Sequence, residues 1–128
     1  MSPKPTSPEP GTTITTYSSQ FGPMLFDKSG QAIYLFDAET TPTPECYDEC
    51  AEAWPPVLTT GPPVAAGRVA VDLLGTVARK DGSTQVTYNG HPLYFYAHEG
   101  KRQVLCHDIR EYGGLWLVVR PDGTPAPG

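Results

Sequence analysis

The chain of 128 residues lacks several features that would place it in a common functional class. No apolar run approaches the roughly 18 residues that a membrane-spanning helix needs, and no signal peptide is recognisable. Its 9 Lys and Arg residues are scattered and outnumbered by 14 Asp and Glu residues, which gives a net charge of -5. We therefore expect no nucleic-acid partner and no electrostatic attachment to an anionic membrane.

Familiar catalytic motifs are missing too. The sequence has no nucleophile elbow, no phosphate-binding glycine loop and no zinc-protease motif. Cysteine is scarce: only Cys46, Cys50 and Cys106 occur, so at most one intramolecular disulfide can form and one thiol is left over. These absences favour a protein that is not an enzyme, although they leave the question open.

Proline and glycine are abundant, with 15 and 13 residues. Prolines concentrate at both ends, which predicts disordered tails at 1–11 and 121–128 and a single folded domain at 12–120. Met1–Pro10 is typical of a stiff, extended spacer of the kind that separates a domain from an anchor. A cytosolic protein with a disordered tail is the alternative, and composition does not choose between them.

An internal repeat is the most informative signal in the sequence. Gly30–Glu39 aligns without a gap on Gly90–Glu99, and Cys46 and Cys106 fit the same ungapped alignment. The matched motif residues are Tyr34 with Tyr94 and Glu39 with Glu99. We expect two superposable hairpins with these residues in equivalent places, in repeat one at about 14–57 and repeat two at about 84–119.

The local patterns predict a mainly β domain of two degenerate hairpin repeats with one short helix around 45–54. Asn89-Gly90 between β-forming segments is typical of a tight hairpin turn. Thr43 is the expected N-cap of the helix, Pro44 suits its first position and Pro55-Pro56 should end it. Val69–Val77 fits either a strand or a short helix.

These motifs resemble the bacterial "secreted repeat" lipoprotein family, whose members carry a Tyr-x4-Asp motif and are mostly uncharacterised. The similarity spans about Ile14 to Val119 and includes Tyr34-x-Phe36, Cys46-x-x-x-Cys50-Ala51 and Trp54-Pro55-Pro56. The chain departs from the family pattern where Glu39 and Glu99 replace Asp and where Cys106-His107 replaces a Gly/Asn-rich stretch. The resemblance implies an extracytoplasmic protein, secreted or lipid-anchored at the cell envelope, that meets the membrane only through an anchor outside this sequence.

Cys46 and Cys50 are four residues apart on the predicted helix, so their Cα atoms should lie at roughly 6 Å, within disulfide range. A metal or redox pair is the alternative, and we favour the disulfide. Copper or zinc could bind Cys106 and His107, helped by His91 or His98. The simpler interpretation of Cys106 is packing, because a lone cysteine is most often a small buried hydrophobe. Apart from copper or zinc, no cofactor is expected.

Two further groups of residues have alternative interpretations. Glu39 and Glu99 could be paired acid–base catalysts, but repeated acids are more simply turn anchors that accept backbone N–H bonds. An aromatic set could form a ligand-stacking face or, as we favour, the core: Tyr34, Phe36, Tyr88, Tyr94, Phe95, Tyr96, Tyr112 and Trp116.

The sequence thus predicts an uncharacterised extracytoplasmic β module with a binding or structural role. The alternatives are an envelope metal or redox protein that uses Cys106, His107 and the Cys46/Cys50 pair, and a hydrolase that uses Glu39 or Glu99.

Overall fold

A computed structural model describes residues 11–39, 41, 43–97, 99–100, 104 and 107–125. Within these residues the chain forms strands and one short α-helix, α1 (Glu49–Ala53). The strands are β1 (Thr13–Ser19), β2 (Gly22–Asp27), β3 (Tyr34–Phe36), β4 (Val64–Ala65), β5 (Leu74–Ala78), β6 (Thr84–Tyr88), β7 (His91–Tyr94), β8 (Ile109–Glu111) and β9 (Gly114–Val118). The predicted mainly β class with one short helix is confirmed.

The strands form two sheets. The smaller has the order β2-β1-β4, and the larger has the order β5-β6-β7-β3-β9-β8. Asn89 and Gly90 join β6 to β7 with φ values of 51° and 79°, and a type I′ hairpin turn requires positive φ at both of its central positions. The tight turn predicted at this dipeptide is therefore present.

The equivalent strands of the two repeats pair with each other at the centre of the larger sheet. β3 and β7 are antiparallel, and Tyr34 lies directly opposite Tyr94 in their register. Since these tyrosines occupy equivalent positions of the two repeats, the pairing places a local two-fold axis between the strands. The β9 strand covers the outer edge of β3, and an isolated bridge from Pro56 to Tyr94 occupies the matching position beside β7.

The central pair separates two clusters of buried side chains. Tyr34, Phe36 and Tyr94 lie in one cluster, while Leu35 and Leu93 lie in the other. This is the alternation that a strand buried on both faces must show. The predicted aromatic core is largely present, with Tyr112 as an exception, since 49% of its surface is exposed.

The helix is shorter than the predicted 45–54, because α1 begins only at Glu49. Thr43 is not its N-cap and Pro44 is not its first residue. The N-cap position is Asp48, which has a φ of 55° and makes no capping bond with its side chain. A tertiary contact competes with helical bonding in the preceding segment: the Cys46 carbonyl accepts from Arg79 at 2.6 Å, and the Cys50 N–H, which would bond to it in a helix, donates to the Tyr47 carbonyl instead.

Two other segments differ from expectation or settle an open alternative. Residues 121–125, predicted as part of a tail, are attached to the domain, since Val119 bridges to Pro125 and the Asn89 amide donates to the Gly123 carbonyl. The ambiguous Val69–Val77 segment contains a 3-10 turn at Val71–Leu73 followed by β5. Within the described part of the chain, no helix is long and apolar enough to cross a membrane.

Candidate functional site at the repeat junction

The motif tyrosines and glutamates are exchanged between the repeats. The Tyr34 hydroxyl donates to Glu99 Oε2 at 2.6 Å, and the Tyr94 hydroxyl donates to Glu39 Oε2 at 2.6 Å. Each tyrosine therefore binds the acid of the other repeat rather than the acid that follows it in its own. The two bonds are related by the local two-fold axis and join the repeats from opposite sides.

Glu39 is almost fully buried, with only 3% of its surface exposed. Its Oε2 accepts from both Tyr94 and the Glu45 N–H, so it also has the turn-anchor contact expected from the sequence. Its Oε1 is buried and has no hydrogen-bond partner among the described residues. Burial raises the pKa of Glu39 to about 7, against the lowering effects of the bonds from Tyr94 and Glu45.

The partner phenol is perturbed in the same direction. Burial first, and then the hydrogen bond to Glu39, raise the pKa of Tyr94 well above its ordinary value. The phenol therefore stays protonated and acts as the donor. We call the two buried bonds, Tyr34 to Glu99 and Tyr94 to Glu39, the phenol–carboxyl locks.

A stack of four aromatic rings, two from each repeat, lies beside the locks. Trp116 is stacked between Phe36 and Trp54, at centroid distances of 4.2 and 4.1 Å and interplanar angles of 6° and 5°. Tyr96 contacts Trp54 at 4.8 Å with its ring plane tilted by 48°. Phe36 and Tyr96 are equivalent in the repeat, so the stack also follows the local two-fold axis. The predicted alternative of an open ligand-stacking face does not apply to these rings, because both tryptophans are fully buried.

The disulfide predicted between Cys46 and Cys50 is present, with Cα atoms 5.2 Å apart. Its sulfurs are therefore not available as thiolate ligands for a metal. Arg79, which sequence reasoning missed, fixes the same segment: its buried guanidinium donates to the Gln85 side chain at 2.7 Å and lies 4.3 Å from the centroid of the Tyr47 ring. The sequence around Arg79 indicates only a turn at Asp81-Gly82, so nothing in it predicts that the arginine is buried.

The residues suggested for a metal site are only partly visible. Cys106 and His98 lie outside the described residues. His107 Nδ1 accepts the Val118 N–H at 3.1 Å and its ring packs on Phe21 at 4.4 Å, whereas His91 lies at the start of β7. No group of three or more His, Cys, Asp or Glu residues suited to a metal ion occurs within the described ranges. Copper or zinc binding by Cys106 and His107 stays a prediction.

An open cleft of about 540 Å³ lies beside the central strands β3 and β7. Leu35 and Leu117 contribute apolar walls, and Asp37, Glu39, Asn89 and His91 contribute polar groups. Burial lowers the pKa of His91, so its imidazole is neutral at and above neutral pH. Sequence reasoning named Glu39 and His91 but did not bring them together or include Asp37 and Asn89.

Comparison with protein families identifies the chain. A family model described as a secreted repeat of unknown function matches residues 11–58 and 75–120. The chain belongs to this family, and its two matched ranges are the two repeats whose locks and ring stack have just been described. The description places the family among secreted proteins, which supports an extracytoplasmic location. No curated protein and no solved structure matches the chain.

Proposed function

We propose that this protein is a non-catalytic binding module that acts outside the cytoplasm of a bacterium, held at the cell envelope by a lipid anchor. The secreted character of the family supports the location. The Cys46–Cys50 disulfide supports it independently, because such bonds persist in oxidising compartments and are rare in the cytosol.

One contrast carries the binding function: the tyrosines and glutamates that the repeats share bond to one another, whereas Asp37 and His91, which differ between the repeats, line an open cleft together with Glu39. Glu39 and Glu99 each accept a hydrogen bond from a tyrosine hydroxyl, which argues against the hydrolase alternative, because a carboxyl group engaged in this way is poorly placed to exchange a proton with a substrate. Asp37 and His91 have Ala97 and Gln31 as their repeat equivalents and face the cleft. Clefts of this size with convergent polar groups are the usual form of a small-ligand site.

The binding function can be tested by thermal unfolding of the purified full chain in the presence of three ligand classes: alkyl amines, neutral saccharides and small carboxylates. A ligand that binds the native state raises the unfolding temperature as its concentration exceeds its dissociation constant. We expect one class to do so at millimolar concentration with no chemical change in the ligand. Stabilisation by none of the classes would refute the proposal, and so would turnover of any of them.

The location can be tested separately. A tagged full-length protein should be digested by protease added to intact, wall-stripped cells, and it should partition with the membrane fraction. A protein protected from protease until the cells are lysed would contradict the proposed location.

A further inference from the structure

The cleft can be compared with the equivalent position of the other repeat, because the local two-fold axis relates the two. There, at the equivalent places of the repeat, Phe95 replaces Leu35, Ala97 replaces Asp37 and Gln31 replaces His91. A cleft that arose only from the repeat architecture would have the same chemistry on both sides, and this one does not.

At the second position a side chain of the protein makes a hydrogen bond across to the other repeat. Gln31 Nε2 donates to the main-chain oxygen of Glu99 at 2.9 Å, which ties the hairpin turn of repeat one to the acid of repeat two. His91, the equivalent of Gln31, makes no such bond to Glu39 within the described residues. Phe95 places a larger side chain at the position equivalent to Leu35. Among the described residues, the cleft beside His91 is therefore the half of the pair that lacks this internal hydrogen bond.

The polar groups of the cleft are mostly hydrogen-bond acceptors. Asp37 Oδ1 accepts the Leu115 N–H at 2.7 Å, and its second oxygen has no bond among the described residues. Glu39 belongs to the lining and its buried Oε1 is likewise without a partner among them. Two carboxyl groups thus meet at one cleft, and none of its described lining residues is Lys or Arg. A buried carboxylate oxygen without a donor is costly, and a ligand that supplies the donor recovers this cost.

We propose that this cleft binds a small organic cation, a primary ammonium or guanidinium group on a short aliphatic stem. The charged head would pair with the carboxyl groups of Asp37 and Glu39, and the stem would pack on Leu35 and Leu117. This inference rests on the proposed binding function and names its ligand class. A divalent metal is a poorer match, because the described residues offer no group of three ligands around one point.

The ligand chemistry has two natural sources, a free diamine and the side chain of a lysine in a peptide. Cadaverine represents the first and Nα-acetyl-lysine amide the second, and both carry a primary ammonium group on a linear alkyl stem. 1-Pentanol serves as a neutral control for the stem and hexanoate as an anionic control. Titration calorimetry of the full chain at pH 8 is suitable, because Glu39, with a pKa of about 7, is then mostly ionised.

We expect one cationic probe or both to bind with one-to-one stoichiometry, while 1-pentanol and hexanoate do not saturate. The stronger of the two cationic probes identifies the source. Asp37→Asn keeps the acceptor for the Leu115 N–H but removes the charge, and should weaken binding about tenfold, as expected for the loss of one charge-assisted hydrogen bond. Asp72→Asn removes the same charge from an exposed position in the 3-10 turn and should leave the affinity unchanged.

His91→Gln provides a second variant that is compatible with folding, because glutamine is the residue that repeat one carries at the equivalent position. If this glutamine bonds to the main chain of Glu39 as Gln31 bonds to that of Glu99, it should cross the cleft and cation binding should also weaken. Equal affinity of the wild type, Asp37→Asn and His91→Gln would overturn the assignment of the cleft, and so would failure of both cationic probes to bind. If a saccharide or carboxylate stabilises the protein while both cations fail, only the ligand class falls and the binding function stands. If no class does, both fall.

Discussion

Glu39→Gln tests the buried carboxyl group at the repeat junction. A shift of the Glu39 pKa from 4.5 to about 7 corresponds to roughly 3 kcal/mol of unfavourable free energy for ionising the group in the folded state. The raised pKa means that the folded protein binds more protons than the unfolded chain between these two values. Stability should therefore be highest below about pH 4.5, fall as the pH rises to about 7 and be constant above it, as far as Glu39 determines it.

Glutamine keeps an acceptor for Tyr94 and Glu45 but cannot ionise, so the variant should lose this pH dependence. Urea unfolding at a series of pH values from 4.5 to 8, with the disulfide intact, measures the free energy of unfolding of both proteins. The free energy of unfolding of the variant minus that of the wild type should be larger at pH 8 than at pH 4.5, by up to about 3 kcal/mol. Taking the difference between the two proteins cancels the opposite effect of His91, whose lowered pKa reduces stability as the pH falls.

Glu52→Gln is the matched control, since it makes the same chemical change on an exposed residue of α1. It should not alter the pH profile. A difference between wild type and Glu39→Gln that stays constant from pH 4.5 to 8 would show that Glu39 ionises normally. The interpretation of the lock as a neutral, buried phenol–carboxyl pair would then be wrong.

Three further predictions concern the junction and the disulfide. Tyr34→Phe and Tyr94→Phe should each lower the free energy of unfolding by about 1–3 kcal/mol in urea titrations, because each removes one buried hydrogen bond to a carboxyl group; a neutral effect of both would contradict the lock. Replacing Cys46 and Cys50 together by Ser should cost about 2 kcal/mol for the short loop that they close, and thiol titration of the unfolded, unreduced wild type should find one thiol, whereas three would exclude the bond. Neither 11–58 nor 75–120 expressed alone should give a folded monomer by circular dichroism and sedimentation, because each lacks the partners of its motif residues; a stable monomeric repeat would refute this.

The alignment of the two repeats accounts for most of what the sequence could predict about the fold. The ungapped repeat alignment identified Tyr34 and Tyr94 as equivalent positions, and the Asn89-Gly90 dipeptide predicted the tight turn between β6 and β7. These are local signals, and the structure follows them because each agrees with the burial that the sheet imposes.

The exchange of partners could not be predicted in the same way. The alignment shows that Tyr34 and Tyr94 are equivalent, but not whether each binds the acid of its own repeat or of the other. That depends on the register in which β3 meets β7, which is a tertiary property. The predicted helix start was wrong for a related reason: Thr43 and Pro44 are favourable at a helix start, yet Arg79 binds the Cys46 carbonyl that a helix would use, and tertiary contacts outweigh local propensity.

The cleft could not be predicted from the repeat, because its polar residues differ between the two copies and an alignment identifies only the residues that match. Asp37 against Ala97 and His91 against Gln31 are mismatches in the alignment. The fold brings Asp37 and His91 together at one cleft beside β3 and β7, and their chemistry becomes apparent only there.

The ring stack gives the protein an intrinsic optical reporter. The chain has two tryptophans, one in each repeat, and Trp54 and Trp116 lie face to face at 4.1 Å. Their fluorescence should therefore report whether the two halves are docked, which differs from reporting burial alone. A transient separation of the repeats with each hairpin still formed would change the emission before the far-ultraviolet circular dichroism changes, so the opening of the junction can be followed in the unlabelled wild-type chain.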